Sequence, residues 1–223
     1  MTTISVLINA RTKSSRLPRK LVLPFAGSTL IDIALDKLNR MDFLDHRYFA
    51  VAEDELKERV SGYRNVELLE RDPEAVQPGY NDHRKVFAHY ERCDSEYIMW
   101  LNACHPLLSL DTLKRAADHV RETRHNSYTS VIPTTDWIFD SDGNPVTNTQ
   151  ASMLSSAHSR TFYKVAHGFH IINKAFFLKD YQYWTLTRND PALVEIPVDE
   201  SYDVNDRMEF EVAEAAYLRS IQA

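Results

Sequence analysis

The sequence predicts an α/β protein built on a mainly parallel sheet, and three observations carry that prediction. Apolar runs alternate with amphipathic helical patterns from the first residues onward, which is the signature of βαβ units. A length of 223 residues gives room for a full core. Hydrophobic content of 43% with 26% charged residues is that of an ordinary globular chain.

In chain order, TISVLIN (residues 3–9) reads as a buried first strand. STLIDIALDKLNR (28–40) follows as a helix, with Leu30, Ile33, Ala34 and Leu38 on one face and Ser28 as the expected N-cap. RYFAVA (47–52) and VELLE (66–70) read as strands, separated by the helix EDELKERVSG (53–62). YNDHRKVFAHYERC (80–93) reads as one helix, EYIMWLN (96–102) as a strand, LDTLKRAADHVRE (110–122) as a helix and YTSVIP (128–133) as a strand.

After Pro133 the grammar changes. TTDWIFDSDGNPVTN (134–148) has a turn signal at Asp142-Gly143 between two short β-prone runs, which predicts a hairpin excursion. Strands are expected at Tyr163–Ile172 and Leu193–Val198. NDRMEFEVAEAAYLRSI (205–221) closes the pattern as a helix with Phe210, Ala213 and Tyr217 on one face, opened by a capping box between Asp206 and Glu209. With no internal repeat or linker, residues 1–223 are expected to form a single domain, with 134–165 as its excursion.

The formal net charge of −6 argues against wholesale nucleic-acid or membrane-surface binding. No stretch approaches the ~18 apolar residues of a membrane span, and the opening apolar run lacks the features of a signal peptide. Cys93 and Cys104 have neither metal spacing nor a disulfide framework, which fits a reducing compartment. The expectation is a cytoplasmic protein with no nucleic-acid or membrane partner.

Against this acidic background, INARTKSSRLPRK places Arg11, Lys13, Arg16, Arg19 and Lys20 in the loop between the first strand and the first helix. Strand-to-loop junctions of this kind are where open α/β sheets bind ligands. Such a loop holds phosphates either through glycines that let backbone N–H groups approach or through cationic side chains. The chain has only five glycines, none before Gly27, and neither the P-loop nor the dinucleotide-binding glycine motif occurs. P-loop NTPases and dinucleotide-binding oxidoreductases are therefore disfavoured. Arg forks and a mobile Lys charge suit a triphosphate; the competing reading is a solvated basic loop with no ligand.

INARTKSSRLPRKLVLPFAGSTLID resembles the opening signature of the sugar-acid cytidylyltransferases, the family of CMP-sialic acid synthetase and CMP-Kdo synthetase. Its Ser14 to Pro18 run is nearer the Kdo and SpsF-like branches, and Arg19 replaces the usual glycine. Four later segments resemble the family in the same order. They are ERDP around Arg71 with WLNACHPLLSLDTLKRA, then SRTFYKVAHGFHIINKAFF, then the terminal YDVNDRMEFEVAEAAY. Nearly the whole chain is covered.

The resemblance implies a Rossmann-like, GT-A-like nucleotidyltransferase fold, three α/β/α layers around a mainly parallel mixed sheet with a small β-hairpin excursion. It implies transfer of CMP from CTP to an acidic acceptor, a sugar acid or related carboxylate or phosphonate, with release of pyrophosphate and with Mg²⁺ as cofactor. It also implies a homodimer whose excursion reaches the partner's site, and a role in surface-glycan or related biosynthesis. By position, Arg11, Arg16 and Lys20 would act on the phosphates, while Ala10, Ser15, Arg71 and Asn102 would complete the nucleotide site. Arg160, His167 and His170 would face the acceptor, and Asp203 with Asn205 would hold the metal.

Departures cluster on the metal and acceptor sides. Asn205 stands where the family has a second aspartate, Cys104 where the Kdo branch has a metal-binding aspartate, and His167 where an asparagine is usual. Buried packing is the expected role of Cys104, and His105 is expected as a polar side chain at the sheet's rim. Two histidines three residues apart on a strand are expected to face different sides. The alternative from another class is a non-catalytic nucleotide-binding or regulatory protein on the same fold. A glycosyltransferase is disfavoured because WLNACHP lacks the D-x-D motif.

Overall fold

Ile4–Asn9 (β1) is buried along nearly its whole length because it lies inside a seven-stranded sheet, paired in parallel on both sides. The computed structural model describes residues 2–147 and 155–222. Beyond β1 come a short antiparallel ladder of Pro24–Phe25 (β2) with Ser28–Thr29 (β3), then helix Leu30–Asn39 (α1). Strand His46–Val51 (β4), helix Asp54–Val60 (α2) and strand Glu67–Glu70 (β5) follow. His83–Val86 (α3) leads to strand Tyr97–Leu101 (β6), helix Leu110–Thr123 (α4) and strand Ser127–Thr134 (β7). The long strand Phe162–Asn173 (β8), helix Lys174–Asp180 (α5), strand Ala192–Glu195 (β9) and helix Arg207–Ser220 (α6) complete the chain.

The sheet order is β5-β4-β1-β6-β8-β7-β9, with β8 antiparallel to both its neighbours. Along β1, Ile4, Val6 and Ile8 join a core under α1, α2, α4 and α6, whereas Leu7 joins a second core with Tyr90, Cys93 and Phe177 under α5. That alternation is the period-2 pleat expressed as two buried faces, and it makes three layers. The chain winds from β1 outward to β5 and then returns to the other side of β1 as β6. The loops after β1 and β6 diverge at this reversal, opening the crevice where such sheets take ligands.

Three local expectations are corrected. Ser28 pairs with Phe25 in the short ladder, so the cap of α1 passes to Thr29, whose hydroxyl accepts from Asp32 N at 3.2 Å. The helix expected over 80–93 divides into α3 and a 3-10 turn at Ala88–Arg92. Phe87 leaves helical geometry at this break and packs edge-on against Tyr90 and Phe177. In the excursion, the Asp142-Gly143 turn forms with Gly143 at φ 84°, but among the described residues its arms pair through the Phe139–Pro145 bridge, with Asp140 N on Asn144 O and Val146 N on Ile138 O, without lengthening into regular strands. Residues 148–154 of the excursion lie outside the described residues. The capping box of α6 forms in full.

Candidate active site

At the carboxyl end of β1, Arg11, Lys13, Ser14, Ser15, Arg16 and Lys20 line a cleft of about 220 Å³, whose floor is Asn9, Leu21 and Cys104. Glu53 shapes the loop by accepting from Thr12 N (2.8 Å) and Thr12 Oγ1 (3.1 Å). The cations are held at defined points. Arg11 donates to Val76 O at 3.3 Å, Lys13 to Gln77 Oε1 at 2.6 Å, Arg16 to Asn205 Oδ1 at 2.7 Å and Lys20 to Val204 O at 2.6 Å. Ala10 is buried at the strand end, with its N–H donated to Ala50 O.

Arg19 is turned elsewhere. Its guanidinium meets the Glu55 carboxylate at 2.8 and 3.0 Å on the outer surface, and its backbone sits at φ 58°. That is the left-handed region, costly for a residue with a Cβ and free for glycine. Arg19→Gly is therefore expected to leave stability unchanged or raise it by up to about 1 kcal/mol, since an exposed ion pair is worth only ~0.2–1 kcal/mol. Equal urea midpoints with unchanged nucleotide binding would bear this out; a large loss of affinity would return Arg19 to the site.

Beside the cleft, Arg71 follows β5 and is half-buried, with its Nε unpartnered among the described residues. Burial lowers its pKa; the charges of Tyr90, Glu53 and Tyr183 oppose the shift, and that of Arg11 adds to it. Glu53 Oε2 is likewise unpartnered. Next to them Asn9 donates to Tyr90 OH at 3.0 Å and accepts from His89 at 2.7 Å, and Tyr90 OH meets Tyr183 OH at 3.1 Å. This polar floor joins the ends of β1 and β5 to the segment after α5.

On the opposite side of the basic loop stands the Asp203 segment. Asp203 Oδ2 accepts from Asn205 Nδ2 at 2.9 Å, and Oδ1 from Asn102 Nδ2 at 3.3 Å. Asn102 also reaches His167 O at 3.1 Å and closes its own loop by accepting from Cys104 N at 3.0 Å. Val204 N bonds Cys104 O, which ties the terminal segment to the loop after β6. Cys104 is buried and burial pushes its thiol up, partly offset by Lys20, so it packs rather than reacts.

His105 corrects an expectation: it is not at the rim but 2% exposed, with Nε2 3.6 Å from Asp203 Oδ1. Burial lowers its pKa to about 4 against the pull of Asp203. Lys37 reaches the carbonyls of His105 and Pro106, each at 3.2 Å, and burial lowers its own pKa to about 8.

A second cleft of about 480 Å³ adjoins the Asp203 segment, lined by Lys164, His167, Tyr202, Asp203, Asn205 and Glu209 with the apolar Ile132, Val165, Met208 and Val212. The Arg16–Asn205 hydrogen bond is the wall the two clefts share. Of the residues expected at the acceptor, only His167 lines this cleft. His170 is 7% exposed, stacked on Trp100, and lies behind His167. Arg160 is exposed ahead of β8 and is not part of this lining. The cation here is Lys164, which motif reading passed over because a lysine on an exposed strand position carries no signal. A larger cavity of about 600 Å³, around His125 and Leu186–Leu193, lies at the amino ends of β7 and β9, away from these groups.

The cytidylyltransferase family profile matches residues 5–201. The chain belongs to the cytidylyltransferase family. No curated protein sequence matches it significantly. Among solved structures this cytidylyltransferase superposes on CMP:2-keto-3-deoxy-manno-octonic acid synthetase complexed with CTP, at TM-score 0.71 and 11% identity over 100% of both chains. It also resembles 4-diphosphocytidyl-2C-methyl-D-erythritol synthase from Anaerococcus prevotii, at TM-score 0.69 and 14% identity over 100% of this chain and 99% of that one. The bifunctional IspDF of Campylobacter jejuni matches at TM-score 0.64 and 12% identity, over 94% of this chain and 54% of that one. These likenesses establish the α/β nucleotidyltransferase fold.

Among the described residues the carboxylate available to Mg²⁺ beside the basic loop is that of Asp203, since Glu209 in the same lining accepts from Asn205 N and Asp206 N. Among the described residues no group of three or more His, Cys, Asp or Glu side chains is placed to hold a metal ion. Asn205 turns its oxygen to Arg16 and only its amide N–H toward Asp203. Mg²⁺ commonly keeps several waters and binds through one or two carboxylates plus substrate phosphates. Asp203 fits that role; Asn205, as oriented, does not.

Proposed function

We propose that the protein transfers CMP from CTP to a small acidic acceptor, releasing pyrophosphate. The observation that carries this reading is the convergence of Arg11, Arg16 and Lys20 on one cleft that shares a wall with a second, partly apolar cleft at Asp203 and Asn205. An acceptor oxygen entering from the second cleft would meet the α-phosphorus of a triphosphate lying in the first, in line with the departing pyrophosphate. Lys20, Arg11 and Arg16 would neutralise that leaving group. Ser14 and Ser15 offer hydroxyl donors along the phosphates. Arg71 stands toward the nucleoside end, where its Nε, unpartnered among the described residues, is a donor ready for a nucleotide oxygen, while Asn102 braces Asp203 on the other side of the basic loop. Asp203 is the carboxylate that would hold Mg²⁺, whose contribution is charge neutralisation on the triphosphate.

Sugar acids and related carboxylates are the acceptor class favoured by the sequence resemblance, and Lys164 is the cation suited to an acceptor's acidic group. Exposed Trp137, Ile138, Phe139 and Val146 on the excursion, with Tyr163 at the start of β8, support a homodimer formed through residues 134–165. A cytoplasmic location and a role in surface-glycan or related biosynthesis belong to the same reading.

Calorimetric titration with CTP, ATP, GTP and UTP, each with and without Mg²⁺, tests it. Selective CTP binding is expected, tighter with Mg²⁺. Absence of any nucleotide binding would overturn the reading. CTP binding with no pyrophosphate release across a broad acceptor screen would favour the non-catalytic alternative, which is motivated by Asn205 and Cys104 standing in place of aspartates.

A further inference from the structure

Beyond nucleotide handling, the acceptor's proton needs somewhere to go. We infer that His167 is the general base that takes this proton, and that His170 and Thr129 are positioning residues fixing its imidazole with Nε2 bare toward the acceptor cleft. The inference rests on the cytidylyltransferase reading for the existence of the acceptor, but the placing of the two imidazoles is independent of that reading.

On a regular strand, residues 167 and 170 would project to opposite faces. Here the register of β7 against β8 jumps from Thr129 opposite His170 to Val131 opposite Val165, so two steps on β7 span five on β8. His167 sits in the resulting bulge at φ 57°. Bulges beside active sites re-aim side chains, and this one brings the two imidazoles together, with His167 Nδ1 3.4 Å from His170 Nε2. The bulge is built in. Ser130 Oγ accepts from Gly168 N at 2.9 Å and Phe169 N at 3.2 Å. A Cβ at Gly168 would crowd Leu108 Cδ2 at 3.3 Å and come into ordinary contact with His105 Nδ1 at 3.5 Å.

His170 is enclosed by Trp100, Tyr183 and Trp184, and its Nδ1 lies 2.8 Å from Thr129 Oγ1. Burial and the neighbouring imidazoles lower its pKa to about 3, so it is neutral and able to accept a hydrogen bond. If His170 donates from Nδ1 to Thr129, its Nε2 accepts from His167 Nδ1–H. His167 Nε2 then carries a free lone pair in the exposed cleft. A base oriented by a second group, itself held by a third, is the arrangement that makes a histidine effective.

The step balances. An acceptor hydroxyl forms the new O–P bond to the α-phosphorus, its proton passes to His167 Nε2, and the bond to pyrophosphate breaks. The acceptor nucleophile is accordingly a hydroxyl rather than an already ionised carboxylate or phosphonate oxygen.

Long-range ¹H–¹⁵N spectra of protein labelled at histidine read the tautomers directly at pH 7.5. Peaks are assigned from those that vanish in His167→Gln and His170→Gln. In the wild type both His167 and His170 are expected as the Nδ1–H form. Thr129→Val, which keeps the side-chain shape, and His170→Phe should each shift His167 toward the Nε2–H form. His167 found as Nε2–H in the wild type would overturn the inference, whatever the variants do. A CTP titration of the same wild-type sample separates the two readings: loss of CTP binding with the expected tautomers sinks the function, and CTP binding with the opposite tautomer sinks the base.

Discussion

Lys20→Ala is expected to weaken CTP binding by roughly tenfold to a hundredfold, because a hydrogen bond to a charged group is worth about 1.5–3 kcal/mol. In the folded protein Lys20 Nζ lies 2.6 Å from Val204 O and lines the cleft with Arg11 and Arg16. Arg11→Ala should have a similar effect. With an acceptor present the loss in turnover should be larger, by analogy with an oxyanion donor worth about 3 kcal/mol in the transition state. Folding should change less, since each substitution removes one hydrogen bond at the surface of the cleft and leaves the buried strand β1 intact. The comparison requires calorimetric CTP affinities beside urea midpoints for both variants. Wild-type affinity in both would remove the loop from the nucleotide site.

Stability should fall steeply as pH drops below about 6.5, before ordinary carboxylates protonate near 4. His89 and His170 are held down to about 3 and His105 to about 4, in each case chiefly by burial. Their unfolded counterparts take up protons near 6.5. Between these limits the unfolded state binds more protons, so stability present above 6.5 is lost as pH falls through the folded values. Each unit of separation is worth about 1.4 kcal/mol, so the three imidazoles together place several kcal/mol in this window. Urea midpoints at pH 7, 5.5 and 4.5 measure it, and His89→Gln should flatten the slope. Equal midpoints at pH 7 and 5 would show that these histidines are not buried neutral.

What the sequence revealed and what it hid divide by range of interaction. The strand and helix order was legible because apolar period and caps are local, as the Asp206–Glu209 box shows. The five cations after β1 were legible as a cluster, but not that Arg19 turns outward to Glu55, since its φ of 58° is set by the loop's closure. Pairing of His167 with His170 was hidden because the bulge depends on Ser130, a residue on another strand. Glu53, Tyr183 and Lys164 carried no motif, and only the fold brings Glu53 to Thr12, Tyr183 to Tyr90 and Lys164 to the cleft beside Asp203. His105 read as a rim residue because its burial comes from segments far along the chain, among them Asp203.

The wall between the two clefts is made by Arg16 and Asn205, which are 189 residues apart, and Ala26 N is held by Glu214 across 188. In chain-length terms the loop-closure cost is modest, since each doubling of length adds only about 0.6 kcal/mol. In mechanical terms the consequence is larger. Arg16, Lys20 and Ala26 are tied to Asn205, Val204 and Glu214, so a disturbance of α6 or of the segment before it reaches the basic loop directly, without passing through the sheet. Loosening those three contacts frees the loop's cations and removes the wall between the two clefts, while the strands beneath keep their pairing.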